Sequence, residues 1–220
     1  SRLVIDKNKS NNKIREIVEL AIYESIPVKY FDGHVLDALA NGGKHRGVAA
    51  YISIDDEDHS TLTGILDHVA RPRLIILDGI TDSGNLGACF RVAEAFSVNA
   101  IITTKKNSAT LTPGAFAASS GSADRVPFFR VPNLVRIINK IKEKNIQVLG
   151  FSNKAKVSIF NINVSGGAAF VFGSEGEGVR PQVLKVCDQV VGIPMSGKVE
   201  SLNVAVTVGI TMFEMQRQFS

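Results

Sequence analysis

Three short stretches of this chain combine side chains that can hold a charge or pass a proton with glycines that let a backbone approach a ligand. The first is Asp78-Gly79-Ile80-Thr81-Asp82-Ser83-Gly84-Asn85-Leu86-Gly87-Ala88-Cys89-Phe90-Arg91, and the second is Phe172-Gly173-Ser174-Glu175-Gly176-Glu177-Gly178. The third is Ile193-Pro194-Met195-Ser196-Gly197-Lys198-Val199-Glu200-Ser201-Leu202-Asn203. Each follows an apolar run that reads as a strand. Taken singly, none identifies a reaction. The glycines at 79, 84 and 87 lack the G-x-G-x-x-G spacing of a dinucleotide fingerprint, which argues against a nicotinamide-dependent enzyme. Spacing alone makes Arg91 a surface or ion-pairing residue and makes Glu175 and Glu177 an acidic turn. By the same reading Ser201 is the N-cap of the helix that follows it.

The surrounding elements place these stretches together. Ser60 reads as the cap of a helix with Leu62, Ile65, Leu66 and Val69 on one face, ended by Arg71-Pro72. Strands are then predicted at 73–77, 99–103, 127–131, 147–151, 168–172 and 190–193. Helices are predicted at 85–96, 133–144, 180–187 and 202–217, and a Ser/Ala/Gly-rich segment occupies 108–123. Such alternation predicts an α/β fold, a parallel sheet with helices on both faces. Ligands of such sheets bind beyond the carboxyl ends of the strands, where all three polar stretches lie. The last helix carries Val204, Val206, Val208, Ile210, Met212 and Phe213 around the small Ala205 and Gly209. It is apolar all round, so the domain or a partner must bury it.

Upstream, residues 2–5 and 28–31 read as strands flanking a helix from about Asn12 to Ser25, with Ile14, Ile17, Val18 and Ala21 on one face. A second helix, Gly33 to Ala40, ends at Asn41-Gly42-Gly43, and Gly47 to Ile54 reads as a strand. The four like charges Asp55-Asp56-Glu57-Asp58 resist burial and mark a boundary. The chain thus divides into a small α/β domain at 1–54, an acidic linker and helix at 55–70, and a larger domain at 71–220. Lys44, His45 and Arg46 follow two glycines and form a candidate phosphate contact. No aromatic ladder suited to stacking bases accompanies them.

Hydrophobic residues at 45% and charged residues at 21% of 220 are ordinary globular values and argue against disorder. No apolar run approaches the roughly 18 residues of a membrane span, and no signal peptide is visible, which predicts a cytoplasmic protein. Cys89 and Cys187 lie within apolar patterns, and the four histidines show no ligand spacing. Reduced thiols and no metal site are therefore expected. The net charge is +4, and the region 59–220 carries 17 basic against 11 acidic residues. That balance is compatible with a polyanionic partner.

In order, spacing and wording, the three stretches resemble the SpoU (TrmH-like) family of S-adenosylmethionine-dependent RNA ribose 2'-O-methyltransferases, within the SPOUT superfamily. The first stretch is most similar to the branch that methylates a guanosine of large-subunit ribosomal RNA. The resemblance implies a catalytic centre of Asn85, Arg91, Glu175, Ser201 and Asn203, with Gly87 part of the first motif. It implies contacts to S-adenosyl-L-methionine from Gly173, Ile193 and Leu202, largely through backbone groups, and no metal. Glu177 belongs to the acidic turn itself. The family fold adds a C-terminal trefoil knot, where periodicity alone gives an unknotted sheet, and the family dimerises through that knot. Residues 1–54 more distantly resemble the family's small RNA substrate-binding domain, and the likeness implies a further strand–helix unit before Ser1.

Ser83 stands where the family usually has Pro, and Ala205 and Thr207 replace residues that are usually Ser and Ala. None of these departures removes a reacting group. A transfer-RNA ribose methyltransferase is the alternative within the family. A non-catalytic RNA-binding protein on the same fold is another, although it would be expected to have lost some of the five polar residues. No histidine lies in the three stretches, so an imidazole base is not expected. The family assigns the base to Arg, yet a guanidinium stays protonated far above neutral pH. The chemistry of Arg91 therefore points to a clamp on the phosphate beside the target ribose, with Glu175, Ser201 and Asn203 holding the loop and relaying the proton.

Overall fold

The computed structural model describes residues 1–40, 43–51 and 59–219. The predicted helix end at Asn41-Gly42 and the acidic boundary at Asp55–Asp58 lie outside the described residues. The chain forms two compact units, Ser1–Asp55 and Asp56–Ser220.

In the first unit, β1 (Arg2–Asp6), α1 (Asn12–Tyr23), β2 (Val28–Phe31), α2 (Gly33–Ala40) and β3 (Val48–Tyr51) follow one another. β1 lies centrally, parallel to β2 and antiparallel to β3. Asn11 caps α1, its side chain accepting from the Ile14 N–H at 2.9 Å. Leu3 and Ile5 of β1 pack on Ile14 and Ala21 of α1. Ile17, expected on that face, is 39% exposed. At 3.6 residues per turn it falls on the flank of the stripe formed by residues 14, 18 and 21. His45 turns inward rather than toward a ligand: its Nδ1 accepts from the Gly47 N–H at 3.1 Å and its Nε2 meets Asp37 at 3.0 Å. Lys44 and Arg46 remain exposed.

The second unit contains α3 (His59–His68), β4 (Arg73–Asp78), α4 (Ser83–Ala95), β5 (Ala100–Thr104), α5 (Pro113–Ser119), β6 (Phe128–Val131) and α6 (Leu134–Glu143). It continues with β7 (Gln147–Phe151), β8 (Val157–Ser158), β9 (Ala168–Gly173), α7 (Pro181–Leu184), β10 (Gln189–Gly192) and α8 (Val204–Phe219). The sheet runs β6-β5-β4-β9-β7-β10-β8, and every neighbouring pair is parallel. Ile75 and Leu77 of β4 face a core with Phe90 of α4 and Val208 and Met212 of α8. Leu74 and Ile76 face the opposite core, with Leu62 of α3 and Ile138 of α6. Burial on both faces explains why these strands read as unbroken apolar runs.

Several boundaries differ from the sequence reading, each for a local reason. α5 emerges inside the Ser/Ala/Gly-rich segment because Thr112 caps it, accepting from the Ala115 N–H at 3.2 Å, with Pro113 in its first turn. Its small residues carry no apolar stripe, but they let α4 come close: a Cβ on Gly87 would lie 2.5 Å from the Ala115 carbonyl oxygen. α3 begins at His59, so Ser60 is not its cap. α8 begins at Val204 and is capped by Asn203, whose Oδ1 accepts from the Ala205 N–H at 2.9 Å. Ser201 is therefore not the cap. α8 buries Val204, Val208, Met212 and Met215, while Val206, Ile210 and Phe213 stay exposed.

Two features fix the carboxyl edge of this sheet. β10 lies between β7 and β8, with Val191 in register with Phe151 on one side and Val157 on the other. β7 and β8 are consecutive, so their connection, residues 152–156, must cross a face of β10. Gly192 leaves room for the crossing, since a Cβ there would lie 3.1 Å from the Ser152 carbonyl oxygen. Second, Asp78 at the end of β4 is buried and accepts from the Arg180 backbone N–H at 2.9 Å and from its Nε at 2.8 Å. Arg180 Nη2 adds a contact at 2.6 Å. This pair ties the chain after β9 to the end of β4.

Removing the guanidinium leaves the buried Asp78 carboxylate with the Arg180 backbone N–H but without its counter-charge. Arg180→Met should lower the unfolding free energy by about 3 kcal/mol in a urea titration. Asp78→Asn in the same chain should recover part of that loss, because the buried charge is then gone.

Candidate active site

Three chain exits at the carboxyl edge build the site. After β4, Gly79 adopts a positive φ of 74°, and Asp82 caps α4 by accepting from the Asn85 N–H at 2.6 Å. The cap places Asn85 in the first turn of α4. After β9, Ser174 to Gly178 fold back on themselves: the Gly178 N–H donates to the Ser174 carbonyl at 2.9 Å, and the Glu177 N–H donates to Ser174 Oγ at 3.3 Å. A Cβ on Gly173 would run into the backbone of Gly178 and Val179. Glycine is thus required for the turn to close, and the turn projects Glu175.

The third exit, from β10, returns to the other two through Asn203. Its Nδ2 donates to Glu175 Oε1 at 2.7 Å and to Asn85 Oδ1 at 2.8 Å. Asn85 Nδ2 in turn donates to the same Glu175 oxygen at 3.2 Å. Because Asn203 Oδ1 also caps α8, a single side chain joins the start of that helix to the turns after β4 and β9. A carboxylate is an acceptor only and suits two amide donors.

Beside this network lies a cavity of about 500 Å³, lined by Phe151, Ser152, Asn153 and Lys154, by residues 172–179, and by Ile193, Met195, Glu200, Ser201 and Leu202 among others. The rings of Phe151 and Phe172 stack with centroids 4.8 Å apart. Of the residues singled out from sequence, Gly173, Glu175, Ile193, Ser201 and Leu202 line the cavity; Asn85 and Asn203 instead brace Glu175. Arg91 stands apart, exposed on α4, outside both the cavity lining and the network. The lining holds three carboxylates, Glu175, Glu177 and Glu200, against the ammonium of Lys154, a balance that favours a cationic ligand.

The thiols take no part. Burial pushes Cys89 up to about 12 and Cys187 up to about 11, with Asp188 adding to the second shift, so neither supplies a thiolate at neutral pH.

Sequence reasoning missed three contributors. The connection 152–156 enters the site: Asn153 Nδ2 donates to the Glu200 carbonyl at 3.0 Å, fastening the segment that carries Ser201. Its only signal was its position after a strand at the same edge. Glu177, assigned to a surface turn, lines the cavity. The Asp78–Arg180 pair was hidden because its partners lie far apart in the chain.

A model described as the SpoU rRNA Methylase family matches residues 72–213, and one described as RNA 2'-O ribose methyltransferase substrate binding matches residues 1–57. The 23S rRNA (guanosine-2'-O-)-methyltransferase RlmB of Neisseria meningitidis serogroup B is 39% identical, over 98% of this chain and 86% of its own length. The RlmB of Escherichia coli is 34% identical, over 97% of this chain and 88% of its own length. Among solved structures, the SpoU methyltransferase AviRb from Streptomyces viridochromogenes in complex with AdoMet aligns with a TM-score of 0.83 at 20% identity, over 99% of this chain and 82% of its own. That last likeness concerns the fold. Since the matched region takes in the parallel sheet, the cavity and all three chain exits, this chain belongs to the SpoU rRNA methylase family.

Proposed function

We propose that this protein transfers a methyl group from S-adenosyl-L-methionine to the ribose 2'-hydroxyl of a guanosine in large-subunit ribosomal RNA. The identity to RlmB proteins along nearly the whole chain carries this reading. The geometry supports it. The cavity's apolar floor, the bare backbone of Gly173 and the excess of carboxylates suit a ligand that carries a sulfonium and an aromatic base. Gly173, Ile193 and Leu202 would hold that ligand, largely through backbone groups. When bound, it supplies an electrophilic methyl group.

The chain's own side chains must orient the 2'-hydroxyl and receive its proton. Glu175 is held by Asn85 and Asn203 through Oε1 alone, which leaves Oε2 to accept from the hydroxyl, with Ser201 beside it on the cavity wall. Arg91 clamps the adjoining phosphate through two parallel N–H donors. Residues 1–54 bind the substrate RNA, with Lys44 and Arg46 as phosphate contacts. The crossing of 152–156 over β10 belongs to a trefoil knot that α8 completes. The exposed stripe Val206, Ile210 and Phe213 recurs at helical spacing on α8 and pairs two copies into a homodimer.

Incubating the protein with cofactor and protein-free large-subunit RNA should place one 2'-O-methyl group on a guanosine; methylation of transfer RNA alone, or of a base, would contradict the reading. Arg91→Lys keeps the charge but not the fork, so it should lose most methyl transfer. Calorimetric binding of the cofactor, with a chelator present, should stay near that of the unaltered protein. Near-full turnover by Arg91→Lys on saturating RNA would make the residue a simple counter-charge. Light scattering at micromolar concentration should return the mass of two chains, and Phe213→Glu should return that of one. A single-chain mass for the unaltered protein would remove the dimer.

A further inference from the structure

The carboxyl edge of the sheet is electrically divided. The cavity beside β7, β9 and β10 is rimmed by carboxylates, whereas the chain from 99 to 142, which forms β5, α5, β6 and most of α6, has seven basic residues, of which Lys105, Lys106, Arg130 and Arg136 stand where β5 and β6 end while Arg125, Lys140 and Lys142 lie away from this edge, and one acidic residue. That acid, Asp124, lies in a turn that Ser122 and Arg125 bind to Glu94 near the end of α4, away from the edge where α4 starts. At the edge itself, Thr103 is in register with Leu77 and Thr104 with Val131. Lys105 and Lys106 therefore leave β5 one strand spacing, about 5 Å, from the Asp78–Asp82 turn. Arg136 is exposed in the first turn of α6, which follows the next strand.

The loop that carries the two lysines is held rigidly. The Lys105 N–H donates to the Val131 carbonyl at 2.9 Å, and Arg130 Nη2 donates to the Lys105 carbonyl at 2.9 Å. Thr104 Oγ1 donates to the Lys106 carbonyl at 2.7 Å. The Ala109 N–H donates to the Ile80 carbonyl at 2.7 Å, fastening the loop to the turn that precedes Asn85. Both lysines are exposed on this fixed backbone, so little ordering is needed when an anion arrives. Side-by-side cations suit a repeating phosphate chain, which releases its counterions on binding.

We propose that Lys105, Lys106 and Arg136 form a track for the RNA phosphodiester backbone, leading from the target nucleotide across the ends of β5 and β6, away from the cofactor cavity. This surface rests on the RNA methyltransferase reading and assigns part of the substrate grip to the catalytic unit itself.

Lys105→Gln/Lys106→Gln in the full chain tests it, with poly(U) as a sequence-neutral binding probe and large-subunit ribosomal RNA as substrate. The slope of log affinity against log salt for poly(U) should become shallower by about 1.4, because each single-strand phosphate that a lysine neutralises contributes roughly 0.7. KM for the ribosomal RNA should rise about tenfold or more, while kcat at saturating RNA and the cofactor Kd stay unchanged. Lys185→Gln, an exposed lysine between α7 and β10, should alter none of these. An unchanged slope, or an equal change from Lys185→Gln, overturns the track even if methyl transfer is intact. If the unaltered protein transfers no methyl group but the double variant still loses slope, the track stands and the methyltransferase reading fails.

Discussion

The site depends on where β10 sits. Held between β7 and β8, this strand delivers the chain at Gly192 several strands away from the Asn85 turn. The following segment, 193–203, has to run back past the ends of β7 and β9 before Asn203 can reach Asn85 at 2.8 Å. In doing so it brings Ile193, Met195 and residues 200–202 to the wall of the cavity. A β10 on the outer edge of the sheet would lose the neighbour that turns 152–156 over it, and with it the Asn153 bond that fastens Glu200. Topology thus forces together residues that sequence separates by more than a hundred positions.

Once the segment returns, a few polar contacts fix its end. Each exposed amide bond in the network contributes only about 1 kcal/mol, so the network does not hold the fold together. Its use is geometric: Asn203 spends one amide on two jobs, capping α8 and bracing Glu175, so the helix cannot shift without moving the carboxylate. The Asp78–Arg180 pair does the corresponding work on the other side, and because Asp78 is fully buried it is the stronger constraint. Between them, the turn that carries Glu175 is held at both ends before any ligand binds, as positioned catalysis requires. The electrical division of the edge adds direction, with carboxylates around the proposed cofactor site and cations beyond it.

Periodicity made much of this fold legible. Apolar runs ending in polar, glycine-bearing turns placed the strands of the larger unit and put the three stretches at one edge. The shorter elements escaped: α5 is built of small residues with no stripe, and β8 has two residues. The order of strands could not be read either, since β10 between β7 and β8 reflects a threading that no local pattern encodes. Within the site, resemblance supplied Asn85, Glu175 and Asn203 as separate names, and only the structure joins them. Ser201 was read as a helix cap because Ser commonly is one, yet Asn203, two residues on, has the amide that reaches the Ala205 N–H. Arg91, read as part of the same centre, lies exposed on α4, outside the hydrogen bonds that hold Glu175.

The central claim is that Asn85, Glu175 and Asn203 act as one positioned unit, and a double-variant cycle addresses it most directly. Methyl transfer, measured as kcat/KM on ribosomal RNA, would be compared for Asn85→Ala, Asn203→Ala and the two combined. If the two amides serve by bracing one carboxylate, the combined variant should be little worse than the poorer single variant. Losses that multiply would mean that the amides act independently, and the account of the site given by their shared hydrogen bonds would be wrong.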